Sequence, residues 1–210
     1  MRRARRRRAF ARSVTLAGAF ALLATREAIP QACRRTSEAP PGWLALDLGW
    51  RSTPAGLGGV EIGRRFPIGL DVFAGLEVAR FDPGDFDLAS VRAGGSYLLK
   101  GLPLPIATCL AASVERERIG DLRVLSIPVG VVFSRDLAPS EERWILVPQI
   151  EPRITFRHAS VRGFTRDQPA FTVLGSALFR RVDLFAGPIA EWVPSGHPEW
   201  IVHARFGVSF

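Results

Sequence analysis

Trp200-Ile201-Val202-His203-Ala204-Arg205-Phe206-Gly207-Val208-Ser209-Phe210 is the stretch that decides the fold. Trp200, Val202, Ala204, Phe206, Val208 and Phe210 form one alternating set. Ile201, His203, Arg205, Gly207 and Ser209 form the other. A period of two belongs to a strand whose side chains point by turns to opposite faces, here one greasy and one mostly polar. The same alternation runs upstream through Leu44, Leu46, Leu48 and Trp50, then Leu70 to Val78, Ala89 to Leu99, Leu125 to Phe133, Trp144 to Phe156, Phe171 to Phe179 and Leu184 to Trp192, with no charge in the apolar phase. The opposite phase collects Asp47, Glu61, Asp71, Glu77, Glu115, Glu151, Asp183 and Glu191, with Arg51, Arg65, Arg92, Arg153, Arg157, Arg180 and Arg205.

Gly, Pro and Asp clusters divide this body into strands at about 43–52, 58–66, 69–80, 86–99, 104–116, 121–134, 143–157, 168–180, 183–193 and 200–210. Merging or discarding one hairpin would leave eight rather than ten. No internal segment has helical apolar spacing long enough to compete. Pro148 and Pro152 sit in the apolar phase, where a bulge or an irregular ladder is needed to hold them.

A strand of this kind ending on an aromatic residue resembles the closing strand of bacterial outer-membrane β-barrels. From Trp43 to Phe210 the chain resembles the small barrel domains of that group, with an OmpA/OmpX-like architecture. The resemblance implies an all-β fold, a closed antiparallel up-and-down transmembrane barrel, monomeric, in the cell outer membrane among lipid and lipopolysaccharide. It also implies that Phe206, Val208 and Phe210 form the assembly signal read by the barrel-insertion machinery. An even strand number suits a single-chain bacterial barrel with both termini in the periplasm.

The other end of the chain reads as an export signal. Arg2, Arg3, Arg5, Arg6, Arg7, Arg8 and Arg12 precede an uncharged, mostly apolar run of 11 residues from Val14 to Ala24, too short to span a bilayer as a helix. Residues 1–32 are therefore expected to be a signal peptide cleaved near Ala28 or Ala32, and the polar, Pro-containing residues 33–42 a linker. Cys33 after Ala32 suggests a lipoprotein site, against which stand Pro30, Arg26 and Glu27. The net charge is +8, but residues 1–32 hold eight Arg and one Glu, so the remainder carries about +1. That leaves no basic stripe for a nucleic-acid partner. Cys33 and Cys109 make no disulfide framework, and the three His residues are scattered at 158, 197 and 203 without metal-ligand spacing, so no cofactor is expected.

Alternation alone does not say which face is inside. A secreted, lipocalin-like barrel binding apolar ligands would bury the apolar face, and a membrane barrel would turn it to lipid. Three features favour lipid. The chain has a single lysine, Lys100. Its aromatic residues form two belts: Tyr97, Phe133, Trp144, Phe179 and Phe210 at the ends nearest the termini, and Trp50, Phe156, Phe171, Trp192 and Trp200 at the opposite ends. Strands of about ten residues tilted by about 40° span about 25 Å, the height of an outer-membrane apolar band.

With the polar face inside, Asp47, Arg51, Glu61, Asp71, Glu77, Arg92, Glu115, Glu151, Arg153, Arg157, Glu191 and Arg205 are expected to form a lumen charge network. Near balance of sign points to ion pairs filling a narrow barrel, hence an envelope-structural or porin-like role rather than catalysis. A narrow small-solute channel is the transport alternative. Surface loops are expected near 53–57, 81–85, 117–120, 158–167 and 194–199. The longest contains His158 and Ser160, which resemble part of the His-x-Ser-Asn motif of lipid A deacylase barrels. Val161 and Thr172 stand where that family has its Asn and its acid, so Asp167 would serve only if the loop folded back.

Overall fold

The computed structural model describes Cys33 and residues 41–51, 55–81, 87–100, 106–137, 144–181, 183–194 and 199–210. The expected signal peptide, residues 34–40 of the linker, and much of the expected loops at 53–57, 81–85 and 194–199 lie outside the described residues. The ten strands are β1 (Gly42–Arg51), β2 (Ala55–Arg65), β3 (Leu70–Phe81), β4 (Asp87–Leu98), β5 (Ala107–Ile119), β6 (Leu122–Ser134), β7 (Ile145–Val161), β8 (Phe164–Arg181), β9 (Leu184–Val193) and β10 (Glu199–Ser209). Each pairs antiparallel with its sequence neighbours, and β1 pairs with β10 from Trp43↔Ser209 to Arg51↔Ile201, closing the barrel. Closure leaves no strand edge unpaired. We call the end that holds the start of β1 and the finish of β10 the near end, and the opposite one the far end.

The expected loop at 158–167 is instead strand. β7 and β8 run to 17 and 18 residues, and their ladder continues unbroken to Val161↔Phe164. Only Arg162 and Gly163 turn, with φ of 45° and 86°. Positive φ at both central residues is the two-residue turn whose twist matches the flanking strands. Likewise the expected loop at 117–120 shrinks to Gly120-Asp121, between the paired Ile119 and Leu122.

The prolines are held without bulges. The ladder skips two pairs at Pro128 (β5–β6), two at Pro152 (β6–β7) and two at Pro188 (β8–β9), and in each case resumes in the same register. A missing N–H thus costs local hydrogen bonds but not the inside–outside alternation.

That alternation places the apolar phase outside. Leu46, Leu48, Val78, Val91 and Ile150 are all more than half exposed, whereas Glu61, Glu115 and Arg205 are almost wholly buried. This is the reverse of what a lipocalin-like soluble barrel requires. Both aromatic belts lie on the outer surface, and in the far belt Trp192 stacks on its cross-strand partner Trp200 at 6.3 Å between ring centroids.

The interior is layered, and its ends are apolar rather than uniformly polar. At the near end Trp43, Ala45, Phe73 and Phe185 pack together. Each of the three rings covers a glycine directly opposite it on the next strand: Trp43 over Gly63, Phe73 over Gly94, Phe185 over Gly207. Any side chain at those glycines would collide with the ring. At the far end Leu57, Ala79, Val193 and Ile201 form one apolar cluster, and Leu122, Val124 and Ala159 another.

Cys33 corrects the expectation that the two cysteines make no disulfide. It is fully buried inside the near end against Ala107, Ala111 and Val132, and a disulfide joins it to Cys109 on β5, with 5.5 Å between Cα atoms. Ser134 Oγ donates a hydrogen bond to the Cys33 carbonyl. A sulfur engaged in this bridge is not free to carry a lipid, which removes the lipoprotein option for the chain in this form.

Candidate functional site

The middle of the barrel interior holds a cluster of charged side chains drawn from the polar phase. Arg205 lies directly opposite Asp47 across the β1–β10 seam. Its Nε and Nη2 donate to the two Asp47 carboxylate oxygens, both at 2.7 Å, and its Nη1 donates to Glu61 Oε1 at 3.3 Å. Such a fork matches a carboxylate in two directions at once, which fixes geometry as well as charge. Arg92 enters from β4 and spans the other side: Nη2 is 3.2 Å from Asp47 and 3.4 Å from Glu61, and Nη1 is 3.5 Å from Glu77. Trp43 Nε1 donates to Glu61 Oε1 at 3.2 Å, tying the near-end aromatic layer to the network.

The barrel thus brings Asp47, Glu61, Glu77, Arg92 and Arg205, scattered over 159 positions of sequence, into one cluster of three acids and two arginines. The remaining expected members fall into smaller groups. Asp71 binds Arg65 at 3.0 Å near the near end. Glu115 accepts a hydrogen bond from Ser90 at 3.0 Å. Arg153 stands 3.9 Å from Glu151 and donates to Thr172 Oγ1 at 3.1 Å, with Arg157 four residues further along β7 and Glu191 buried on β9. The Arg51 side chain lies outside the described residues.

Two adjustments follow. Asp183 is exposed at the β8–β9 connection and takes no part in the lumen, because the chain is already turning there. Glu117 and His203 face inward and are buried, although neither was singled out. The expected strand stops at 116 and so leaves Glu117 out. Its spacing of two from Glu115 was the available signal. His203 already stood in the polar phase, opposite Gly49.

Phe206, Val208 and Phe210, expected to form an assembly signal, all face outward. Phe210 also closes the seam: its N–H donates to the Gly42 carbonyl at 2.9 Å, and the Gly42 N–H donates back to Phe210 at 2.8 Å.

At the far end the β7–β8 hairpin does fold back, so Asp167 lies directly opposite His158, and His158 Nδ1 contacts Asp167 Oδ1 at 2.7 Å. Both side chains are at least half exposed, where such a pair contributes at most about 1 kcal/mol. Ser160 lies two residues further along the same face, about 6.6 Å on at strand spacing, opposite Arg123 and Thr165. Among the described residues no hydrogen bond joins it to His158. The structure therefore pairs His158 with a carboxylate but leaves the Ser160 hydroxyl unconnected to the imidazole. Beneath the pair an outer groove of about 270 Å³ runs over Leu125, Ile127, Phe156 and Pro169.

No family model matches the sequence, and no curated protein matches it. Among solved structures the chain is similar to a bacterial polysaccharide outer membrane secretin, with a TM-score of 0.48 and 9% identity over 80% of this chain and 65% of that one. It spans, in other words, 65% of that protein's length. It is also similar to the β domain of the Bordetella autotransporter BrkA (TM-score 0.46, 14% identity, 82% of this chain and 100% of that one). A third is LpxR from Salmonella typhimurium (TM-score 0.45, 9% identity, 74% of this chain and 73% of that one).

Proposed function

We propose that this protein is an integral outer-membrane β-barrel with an envelope-structural or porin-like role, its lumen closed by ion pairs and by apolar layers at both ends. One observation carries the reading. A closed ten-strand barrel turns a charge-free apolar band outward between two aromatic belts and encloses its carboxylates and guanidinia. Water does not tolerate so large a continuous apolar surface, while a hydrocarbon slab flanked by interfaces suits it. The monomer, the signal-directed export and the lipid and lipopolysaccharide surroundings belong to the same proposal.

The test is extraction with detergent, then comparison of boiled and unboiled samples on a denaturing gel. The folded barrel is expected to need detergent and to change mobility on heating. A protein that stays soluble without detergent and shows no shift refutes the membrane reading. Reconstitution in lipid A-containing bilayers then tests the role, with conductance recorded and the lipid analysed by mass. We expect neither conductance steps nor loss of an acyl chain. Steady steps would instead support the small-solute channel.

The His158–Asp167 contact favours one second reading, a lipid A deacylase-like esterase. In it His158 would deprotonate Ser160, with Asp167 orienting the imidazole. Loss of an acyl chain that His158→Ala or Ser160→Ala abolishes would establish it. Acyl loss unaffected by either change would refute it.

A further inference from the structure

Three arginines stand where an outward apolar face gives way to the far end. Outward positions on β5 alternate Val114, Arg116, Arg118, and on β6 they run Ile127, Leu125, Arg123. Arg118 and Arg123 are direct cross-strand partners, and Arg116 is opposite Leu125, one step towards the middle of the barrel. All three are exposed. Like charges set directly opposite one another in a ladder repel and destabilise the sheet, so this arrangement is unfavourable for the barrel alone.

Arg118 Nε donates to the Gly120 carbonyl at 3.3 Å, but no carboxylate among the described residues of this face pairs with the three arginines. On the flanking strands, Arg116 is opposite Val91, Arg118 opposite Ala89 and Arg123 opposite Ser160. The nearby carboxylate, Asp121, is taken by Arg162 in contacts of 2.9 Å that tie the β5–β6 tip to the β7–β8 hairpin. Asp167 is taken by His158. Leu125 lies opposite Arg116 on one side and His158 on the other, and it forms the first wall of the 270 Å³ outer groove that descends over Ile127 and Phe156.

We propose that Arg116, Arg118 and Arg123 bind the phosphate of an anionic membrane lipid whose acyl chain lies in the groove over Leu125, Ile127 and Phe156. The chemistry fits on both counts. Guanidinium forks match phosphate oxygens, and a phosphate between Arg118 and Arg123 turns their repulsion into a shared attraction. A trough walled by Leu125, Ile127, Phe156 and Pro169, whose lining also includes His158 and Asp167, begins one residue below the cations and suits a molecule with head and tail, which a free anion lacks. The proposal rests on the membrane reading above, under which the far end faces the outer leaflet.

The full-length barrel, purified in a neutral detergent, is titrated with phosphatidic acid, lipid A, phosphatidylcholine and inorganic phosphate, and bound molecules are counted by native mass spectrometry. Phosphatidic acid and lipid A are expected to bind, with phosphatidylcholine and inorganic phosphate at least tenfold weaker. At about fivefold per arginine near a membrane surface, the triple change Arg116→Gln, Arg118→Gln, Arg123→Gln should weaken binding roughly a hundredfold. Arg181→Gln, an exposed arginine at the near end, should leave it unchanged. Arg118→Glu gives a second, opposite readout: by pairing with Arg123 it should raise the thermal midpoint while abolishing lipid binding. Equal affinity in the triple variant, equal affinity for phosphatidylcholine, or competition by inorganic phosphate at lipid-like affinity would each overturn the proposal. Heat-dependent gel mobility, followed in the same samples, reports the membrane reading independently. A barrel that shifts on heating but binds no phosphorylated lipid loses only this site.

Discussion

Replacing Arg205 by Met removes the guanidinium at the centre of the lumen and leaves its partners in place. In the folded barrel this arginine is 1% exposed, holds Asp47 through two bonds of 2.7 Å and reaches Glu61 at 3.3 Å. Breaking a buried ion pair from one side typically costs about 3–5 kcal/mol, because the surviving charge is stranded without solvent. Here Arg92 remains 3.2 Å from Asp47 and 3.4 Å from Glu61, so the loss should fall at the low end, about 3 kcal/mol. Arg205→Lys, which keeps the charge but not the fork, should cost about half as much. Adding Asp47→Asn to Arg205→Met removes the stranded charge, so the double variant should be more stable than the sum of the two single changes predicts, by about 1–2 kcal/mol. Urea unfolding of the barrel in lipid vesicles, followed by gel mobility, measures the parent, Arg205→Met, Arg205→Lys, Asp47→Asn and the double variant. If Arg205→Met lies within about 0.5 kcal/mol of the parent, the size of an ordinary surface substitution, and shows no coupling to Asp47, the network is not what holds the middle of the lumen.

Three other outcomes are expected. Cys33→Ser with Cys109→Ser opens a loop of 76 residues, which chain entropy values at about 4.5 kcal/mol; non-reducing peptide mapping should recover the two cysteines linked, and a lipid-modified Cys33 would contradict the bridge. Gly63→Val drives a side chain into the Trp43 ring and should prevent barrel formation; adding Trp43→Ala should restore folding, as read by heat-dependent mobility, and no restoration would mean that the ring is not the obstacle. Deleting Phe210 removes both hydrogen bonds to Gly42 and an outward ring at the seam; it should leave export intact but reduce outer-membrane assembly and expose the chain to periplasmic proteases, and parental levels of inserted protein would count against the assembly-signal role.

Much of this barrel is readable in the order of its residues, because a strand needs only a period of two to declare its faces. The run from Trp200 to Phe210 and its nine antecedents mark the strands within a few residues. They also sort Asp47, Glu61, Arg92 and Arg205 onto one face before any partner is known. The 158–167 stretch reads as a loop because Arg162, Gly163 and their polar neighbours satisfy loop chemistry as well as hairpin chemistry. Only cross-strand pairing to Thr165 and Asp167 distinguishes the two.

What alternation fixes is that two faces exist and which residues share each of them. What it leaves open is the direction of closure, since a barrel with its apolar face inside and one with it outside carry the same period. Three-dimensional closure decides that, and with it everything that depends on residues distant in sequence meeting. Arg205 reaches Asp47 across 158 positions because β10 lies beside β1. Cys33 finds Cys109 because both occupy the near-end interior. Arg118 confronts Arg123 because a two-residue turn sets them opposite. Side-chain period is a local property that each strand carries by itself, whereas pairing across the lumen and around the wall belongs to the closed ring.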